Sequence, residues 1–489
     1  MASGARQPFP TGIPSLDTLL GGGIPRRQVL TITGNPGSGK TVLGSEIAFL
    51  TAARGVSVVI ATVTSEPHDK LLDSLSGFTF FRPELLGEQV FLISAWAPLK
   101  KGSKEARDLI IDTVHERSAK LLLLDGVRAI RDLWQDEPRL REFLYELSMG
   151  LAAVDCVGLF TTEYSVDALM ALPEATTVDG IVSLTMKRHG VRRLRRIEVV
   201  KLRGRAHLTG DHFFEIGSEG IRIIPRLEAL PPPNVEFAPD RARAAFGLPE
   251  LEALVDAGLP IGSSTMLAGS MGIGKTLFSA CFALEGARKG EKAVFVSFFE
   301  ELEMVAARAQ RIGLDLQPSL ASGGLRFLYL PPLELEADTL IDRVLAEIAR
   351  LGARRLVIDG LGPLELSISD ADRRHDLLAA LSMRLRLARV TTVFTKQVAK
   401  VAGPELDFSD TPIATLGANL LLLRYVELRG RIHRILSVLK MRDSSYKTDL
   451  REFEITDQGI RVLAPLRSVE GLLTGQAHPI GSTVGEEDS

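Results

Sequence analysis

Two stretches of the chain carry the same chemistry. GNPGSGKT at residues 34 to 41 and GSMGIGKT at residues 269 to 276 each space two glycines around four residues and then add Lys and Thr. Gly34, Gly37 and Gly39, like Gly269, Gly272 and Gly274, allow torsions that turn successive amide hydrogens inward. With Asn35, Pro36 and Ser38, or Ser270, Met271 and Ile273, completing the loops, each forms a cradle of donors for a polyphosphate. The helix that follows adds its positive end. Lys40 and Lys275 supply charge for the outer phosphates, and Thr41 and Thr276 offer hydroxyls to Mg2+. A glycine turn that merely joins strand to helix does not explain why Lys-Thr follows twice. Two nucleoside triphosphate sites are expected, and the residues themselves do not separate adenine from guanine.

Acidic residues stand where such sites need them. LLLLD (121 to 125) and RLVID (355 to 359) are apolar strands whose last residues, Asp125 and Asp359, belong at the carboxyl edge of a sheet beside the loops. There they would hold the magnesium shell, Asp125 with Thr41, and Asp359 with Thr276 and Glu300. The plainer alternative is a strand-ending turn, since Gly follows both aspartates. In the second half VSFFEE ends in Glu300 and Glu301; the first half reads TVTSE, with Ser65 opposite Glu300 and Glu66 opposite Glu301. A carboxylate there orients and polarises the attacking water or hydroxyl, which serine cannot do as a base at neutral pH. The second site is therefore expected to hold the full catalytic set and the first to rely on Glu66. Acids that only end a strand in solvent are the competing reading.

The two loops belong to an internal repeat. A shift of 235 lays TGIPSLDTLLGGGIP (11 to 25) over FGLPELEALVDAGLP (246 to 260) without a gap, and pairs ARGVSVVIATVTSE with RKGEKAVFVSFFEE. KLRGRAH (201 to 207) matches KMRDSSY (440 to 446) at a shift of 239. A period this long is a domain, because solenoid units run roughly 20 to 50 residues. VLTIT, VSVVIATVT, VFLIS, LLLLD and VGLFTT read as strands buried on both faces, alternating with amphipathic stretches. The expected fold is α/β: two tandem P-loop domains, each a mostly parallel sheet flanked by helices. Residues 1–230 form the first, 231–245 a linker around three consecutive prolines, 246–466 the second, and 467–489 a loose polar tail.

Composition narrows the class. The 489 residues are 45% hydrophobic and 24% charged with a net charge of −3, as in a globular protein. No apolar run is long enough to span a bilayer, and MASGARQPFPTG lacks the pattern of a secretory signal, so a cytoplasmic protein without membrane contact is expected. Cys156 and Cys281 sit in apolar stretches without metal-ligand companions and read as buried thiols.

The paired halves, the TGIPSLDTLLGGGIPRRQ entry, the FFEE strand, KLRGRAH and LLLLRYVELRGRIHRILSVLKMRDSSYKTDLREFEITDQGI (420 to 460) resemble the KaiC family, the duplicated RecA-type ATPases of circadian clocks. The resemblance runs from about Thr11 to about Gly475. It implies RecA-like domains, ATP as the nucleotide, and hexameric double rings with ATP held between neighbouring subunits. One subunit would give the phosphate loop and the next a basic strand end: Lys201, Leu202, Arg203 and His207 in the first ring, Lys440, Met441 and Arg442 in the second. A cation reaching the γ-phosphate in trans stabilises transition-state charge and makes hydrolysis depend on assembly. The alternative is a hairpin decorated with solvated charges.

The resemblance also implies autophosphorylation on an adjacent Ser-Thr pair, and here the chain departs. DFSDTPIATLGANLLLL (407 to 423) has Ala414 in place of the serine and keeps Thr415, with Ser409 and Thr411 nearby. An ordered two-site cycle is not expected; modification of Thr415 with Glu300 as base, and an unmodified capping threonine, both stay open. Two other functions compete. The run KRHGVRRLRR (187 to 196) suits a DNA-handling ATPase, against which stand the acidic balance and few aromatics. A nucleotide-gated scaffold that docks an unidentified signalling protein is the third.

Overall fold

The computed structural model describes residues 7–63, 68–172, 174–233, 242–332, 335–398, 417–428, 430–442 and 444–465, with the backbone alone at 469–470 and 478–479. Ser65, Glu66, most of the expected linker, Ser409, Thr411, Ala414, Thr415 and nearly all of the tail lie outside the described residues. The chain divides between Leu230 and Pro231 into two compact units.

Each unit is built on a nine-stranded sheet. In the first, β1 (Val29–Thr33), β2 (Val58–Thr62), β3 (Val90–Ser94), β4 (Leu121–Asp125), β5 (Val157–Thr162), β6 (Gly180–His189), β7 (Arg192–Leu202), β8 (His212–Gly217) and β9 (Gly220–Ile224) lie in the order β3-β2-β4-β5-β1-β6-β7-β8-β9. The pairings from β3 to β6 are parallel, and β7, β8 and β9 extend the sheet antiparallel. In the second unit β10 (Ser264–Gly269), β11 (Ala293–Ser297), β12 (Leu325–Tyr329), β13 (Arg355–Asp359), β14 (Thr391–Gln397), β15 (Asn419–Leu428), β16 (Arg431–Lys440), β17 (Arg451–Thr456) and β18 (Gly459–Pro465) take the order β12-β11-β13-β14-β10-β15-β16-β17-β18. Adding nine to each label of the first sheet reproduces the second.

Burial explains the strand composition. β1, β2 and β5 are buried at every position, and Leu121 to Leu124 of β4 are buried up to the final aspartate. Helices cover both faces, so apolar runs replace the alternation of a half-wet sheet. The helix after each loop, α1 (Lys40–Ala52) and α2 (Lys275–Arg288), runs through the core: Leu43, Ile47, Ala48 and Phe49 are buried in one, and Leu277, Phe278, Phe282 and Ala283 in the other. A helix apolar on most faces is what a fully covered position selects. Among the described residues no helix is long and apolar enough to cross a membrane. Both cysteines are buried and free, and burial pushes each thiol up to about 12.

The buried face of α1 carries one acid. Glu46 is buried, accepts a hydrogen bond from the Ile221 amide at 2.8 Å, and is pushed up by desolvation from 4.5 to about 7. The matching position of α2 is Cys281, so the second unit has no such group. Because the folded value is raised, the unfolded chain deprotonates first as pH rises. The contribution of Glu46 is therefore fully present below about 4.5 and is lost through the window up to about 7, on the order of 3 kcal/mol. Glu46→Gln keeps an acceptor for Ile221 and removes the titration. Its unfolding midpoint should exceed wild type at about pH 8 and converge with it near pH 4; a gap that does not change with pH contradicts this assignment.

Candidate nucleotide-binding sites

Both loops start at the carboxyl end of a central strand and end in a helix. At Gly39 and Gly274, the residues before the two helices, φ is 105° and 118°. A Cβ there would come within 2.7 Å of Ile216 Cδ1 and 2.6 Å of Ile455 Cδ1, respectively. Left-handed backbone and close approach of the antiparallel extension together exclude a side chain at both positions.

The lysines and aspartates converge below each loop. Lys40 Nζ donates to the Asn35 carbonyl at 3.1 Å; Lys275 Nζ donates to the carbonyls of Gly269 at 3.0 Å and Ser270 at 2.7 Å. Burial lowers the pKa of both ammonium groups, opposed by Glu163 and Asp125 at Lys40 and by Asp359 at Lys275. The carboxylates show the mirror effect: desolvation raises Asp125 and Asp359, opposed by hydrogen bonds from Thr161 and Thr41 in one site and from Thr395 and Thr276 in the other. Thr41 Oγ1 lies 3.4 Å from Asp125 Oδ2. Each site thus desolvates a cation and an anion beyond what their mutual attraction offsets, a deficit that a phosphate and a divalent metal together would make up. Ser38 Oγ, inside the first loop, is buried with no partner among the described residues, a further polar atom that a phosphate oxygen would satisfy. The residues present therefore fit a magnesium nucleotide.

A pair of threonines that sequence reading missed fixes the aspartates. Thr161 and Thr395 accept from the Gly126 and Gly360 amides, at 2.9 and 2.7 Å. With the hydroxyl oxygen used as acceptor, its hydrogen is left for the acid. Thr161 donates to Asp125, and Thr395 to Asp359 at 2.7 Å. The signal was present in the repeat, since both threonines stand near the end of the adjacent strand at a shift of 234.

Around the second loop opens a cleft of about 930 Å3 lined by Lys275, Thr276, Glu300, Arg308, Asp359 and Thr395, a size that suits a small-molecule ligand. Glu300 lies just past β11; its amide donates to Ser297 Oγ at 3.1 Å and its carboxylate takes both nitrogens of Arg308, at 2.7 and 3.2 Å. Glu301, its sequence neighbour, is exposed at the N-cap of α3 (Leu302–Gln310) and makes no side-chain capping bond.

The basic strand ends lie elsewhere. Leu202 pairs with Gly180 and Lys201 with Ile181, while Gly180 stands beside Leu30 of β1, three residues or about 10 Å upstream of the loop's edge. In the second unit Lys440 pairs with Leu420, which stands beside Met266, again three residues before the loop. These ends therefore close the opposite edge of their own sheet. Lys201 Nζ donates to the Ala175 and Val178 carbonyls, at 2.8 and 2.7 Å, and Arg203 lies 3.6 Å from Asp179. Leu202 and Met441 are buried, and His207 Nδ1 is buried without a partner among the described residues. Lys440 Nζ donates to the Gly417 carbonyl at 3.1 Å, and the Arg442 amide to the Ala418 carbonyl at 3.1 Å. Within the basic run, Arg195 donates to the Gly37 and Ser38 carbonyls at 3.1 and 3.3 Å, Arg196 stacks on Phe213 at 3.5 Å, and Lys187 pairs with Asp211.

Gly274→Ala tests the loop geometry. The added methyl must displace Ile455 or the loop, so we expect a loss of about 1–3 kcal/mol in stability and of nucleotide binding at this loop. Equilibrium dialysis should then show one bound nucleotide per chain instead of two; an unaltered stoichiometry and affinity would show that this close approach does not shape the cradle.

Comparison with known proteins agrees with this geometry. A family model described as "ATPase: KaiC" matches residues 9–228 and 244–467, one copy in each unit. The chain is 26% identical over 486 residues to a circadian clock oscillator protein KaiC of Picosynechococcus, covering 96% of this chain and 92% of that protein. It is also 26% identical to the KaiC of Thermostichus vulcanus, covering 96% and 91%, and 28% identical to the circadian clock protein KaiC3 of Synechocystis, covering 95% and 93%. With two RecA-like α/β units, each bearing a phosphate loop over a desolvated lysine and aspartate, the chain belongs to the KaiC family of ATPases.

Proposed function

We propose that the protein binds MgATP at both loops and hydrolyses it in a nucleotide-dependent hexameric double ring, with each site completed by the neighbouring subunit. The observation that carries this reading is the separation of the two halves of each site. Lys40, Thr41 and Asp125 gather at one edge of the first sheet while Lys201 and Arg203 close the other edge, and the second unit repeats the division. Cations that cannot reach their own loop can reach a neighbour's. In a ring of identical subunits the same head-to-tail contact then recurs at each junction.

In each site the loop amides and Lys40 or Lys275 hold the phosphates, and Thr41 with Asp125, or Thr276 with Asp359 and Glu300, holds the metal. Bound Mg2+ neutralises charge on the transferring phosphoryl group. In the second site Glu300 orients the attacking water, with Glu301 at the helix N-cap beside it; in the first, Glu66 fills that part with Ser65 as its neighbour. Arg203 and Arg442 stabilise charge that develops on the γ-phosphate across the junction, with Lys201, His207 and Lys440 beside them, while Leu202 and Met441, buried in the cores of their own units, anchor the strand ends. Thr415 is the candidate acceptor for autophosphorylation, with Glu300 as base, and intact mass after incubation with ATP reads it directly. The alternative is a nucleotide-gated scaffold with little turnover, whose ring docks a signalling protein. Arg195 donates to two carbonyls of the phosphate loop itself, which favours a part at the nucleotide site over contact with nucleic acid.

Two comparisons of ATP turnover test the reading. Arg203→Ala combined with Arg442→Ala should lower turnover by about 10³-fold; full activity in an isolated monomer would exclude shared sites. Glu300→Gln should remove most of the total rate and Glu66→Gln the smaller remainder, each site losing about 10²-fold or more; equal losses would abolish the proposed division of labour.

A further inference from the structure

We propose that Arg308 is a positioning residue for the second site, aiming the Glu300 carboxylate at the attacking group; this rests on the reading of Glu300 as the catalytic base. Glu300 has three rotatable side-chain bonds and stands past the end of its strand, held at its amide by Ser297. Nothing in the backbone fixes where its carboxylate points. α3 returns Arg308 over the strand end, and its planar fork meets both oxygens, NH2 to Oε1 at 2.7 Å and NH1 to Oε2 at 3.2 Å. A bidentate pair fixes direction as well as distance, which a point charge does not.

The other charged groups of the cleft are engaged elsewhere. Lys275 donates to the loop carbonyls, Asp359 is held by Thr395, and Lys396 bonds to Glu365. The repeat supplies an independent argument. In the first unit Ser65 stands opposite Glu300, and the helix His68–Leu75 offers Asp73 or Ser74, depending on how its buried Leu75 is laid over α3, where the second has Arg308. The carboxylate and its guanidinium are thus missing together. Stability does not account for the pair: with 44% and 25% of the two side chains exposed, it is screened by solvent and adds little to the fold. Its removal should leave the fold intact.

The test is a double-mutant cycle in the full chain, reading the part of MgATP turnover that Glu300→Gln removes. Arg308→Gln should lower kcat for that part by about tenfold with KM unchanged, since orientation and not binding is lost. Arg308→Lys, which keeps the charge without the fork, should recover part of it. In the Glu300→Gln background Arg308→Gln should cause no further loss, because its effect runs through the carboxylate. Wild-type kcat in Arg308→Gln, or an additive loss in the double variant, overturns the positioning role while leaving Glu300 as base. Full turnover in Glu300→Gln alone removes the base and this inference with it.

Discussion

The constraint on which the rest depends is the burial of opposite charges at the carboxyl edge of each sheet. Lys40 beside Asp125, and Lys275 beside Asp359, are partly withdrawn from water by the strands and helices that carry them; desolvation lowers each ammonium and raises each carboxylate, and the attraction within the pair offsets only part of this. Desolvated charges of this kind destabilise a fold unless something completes their coordination. A magnesium triphosphate does so at once, giving anionic oxygens to the lysine and a cation to the aspartate. Binding energy at the edge is then available to order the loop and the adjacent strand ends, and, in the proposed ring, the contacts between subunits.

Duplication has kept this arrangement and relaxed what surrounds it. The sheet order, the glycine before each helix and the threonine that holds each aspartate recur. The buried Glu46 of α1 becomes Cys281 in α2, and the carboxylate at Glu300 has a serine counterpart. The features proposed to hold phosphate and metal are common to both units. Of the residues proposed to act on the attacking group, the second unit has Glu300 and Glu301 where the first has Ser65 and Glu66.

Much of this was legible in the sequence because it lies in local spacing. A phosphate loop is eight contiguous residues, and LLLLD or RLVID announces its edge aspartate by its own apolar run. What escaped notice depends on contacts between distant segments. Thr161 meets Asp125 across 36 residues and is a common residue in a common strand. Arg308 matters only because α3 folds back on Glu300. The run KRHGVRRLRR reads as surface charge, yet the sheet extension turns Arg195 onto the phosphate loop and Arg196 onto Phe213. The trans role of Lys201 and Lys440 came from family resemblance; register adds that neither lies at its own loop's edge of the sheet. Glu66 and Thr415 lie outside the described residues, so the first site's acid and the phosphate acceptor rest on sequence alone.

Native mass spectrometry of the full chain, with and without ATP and Mg2+, tests the central claim most directly, because subunit number and bound nucleotide are read from the same ion. The account predicts that ligand converts smaller species into a hexamer carrying two nucleotides per chain. A chain that stays monomeric under saturating MgATP, or a ring that forms with both cradles empty, would contradict it.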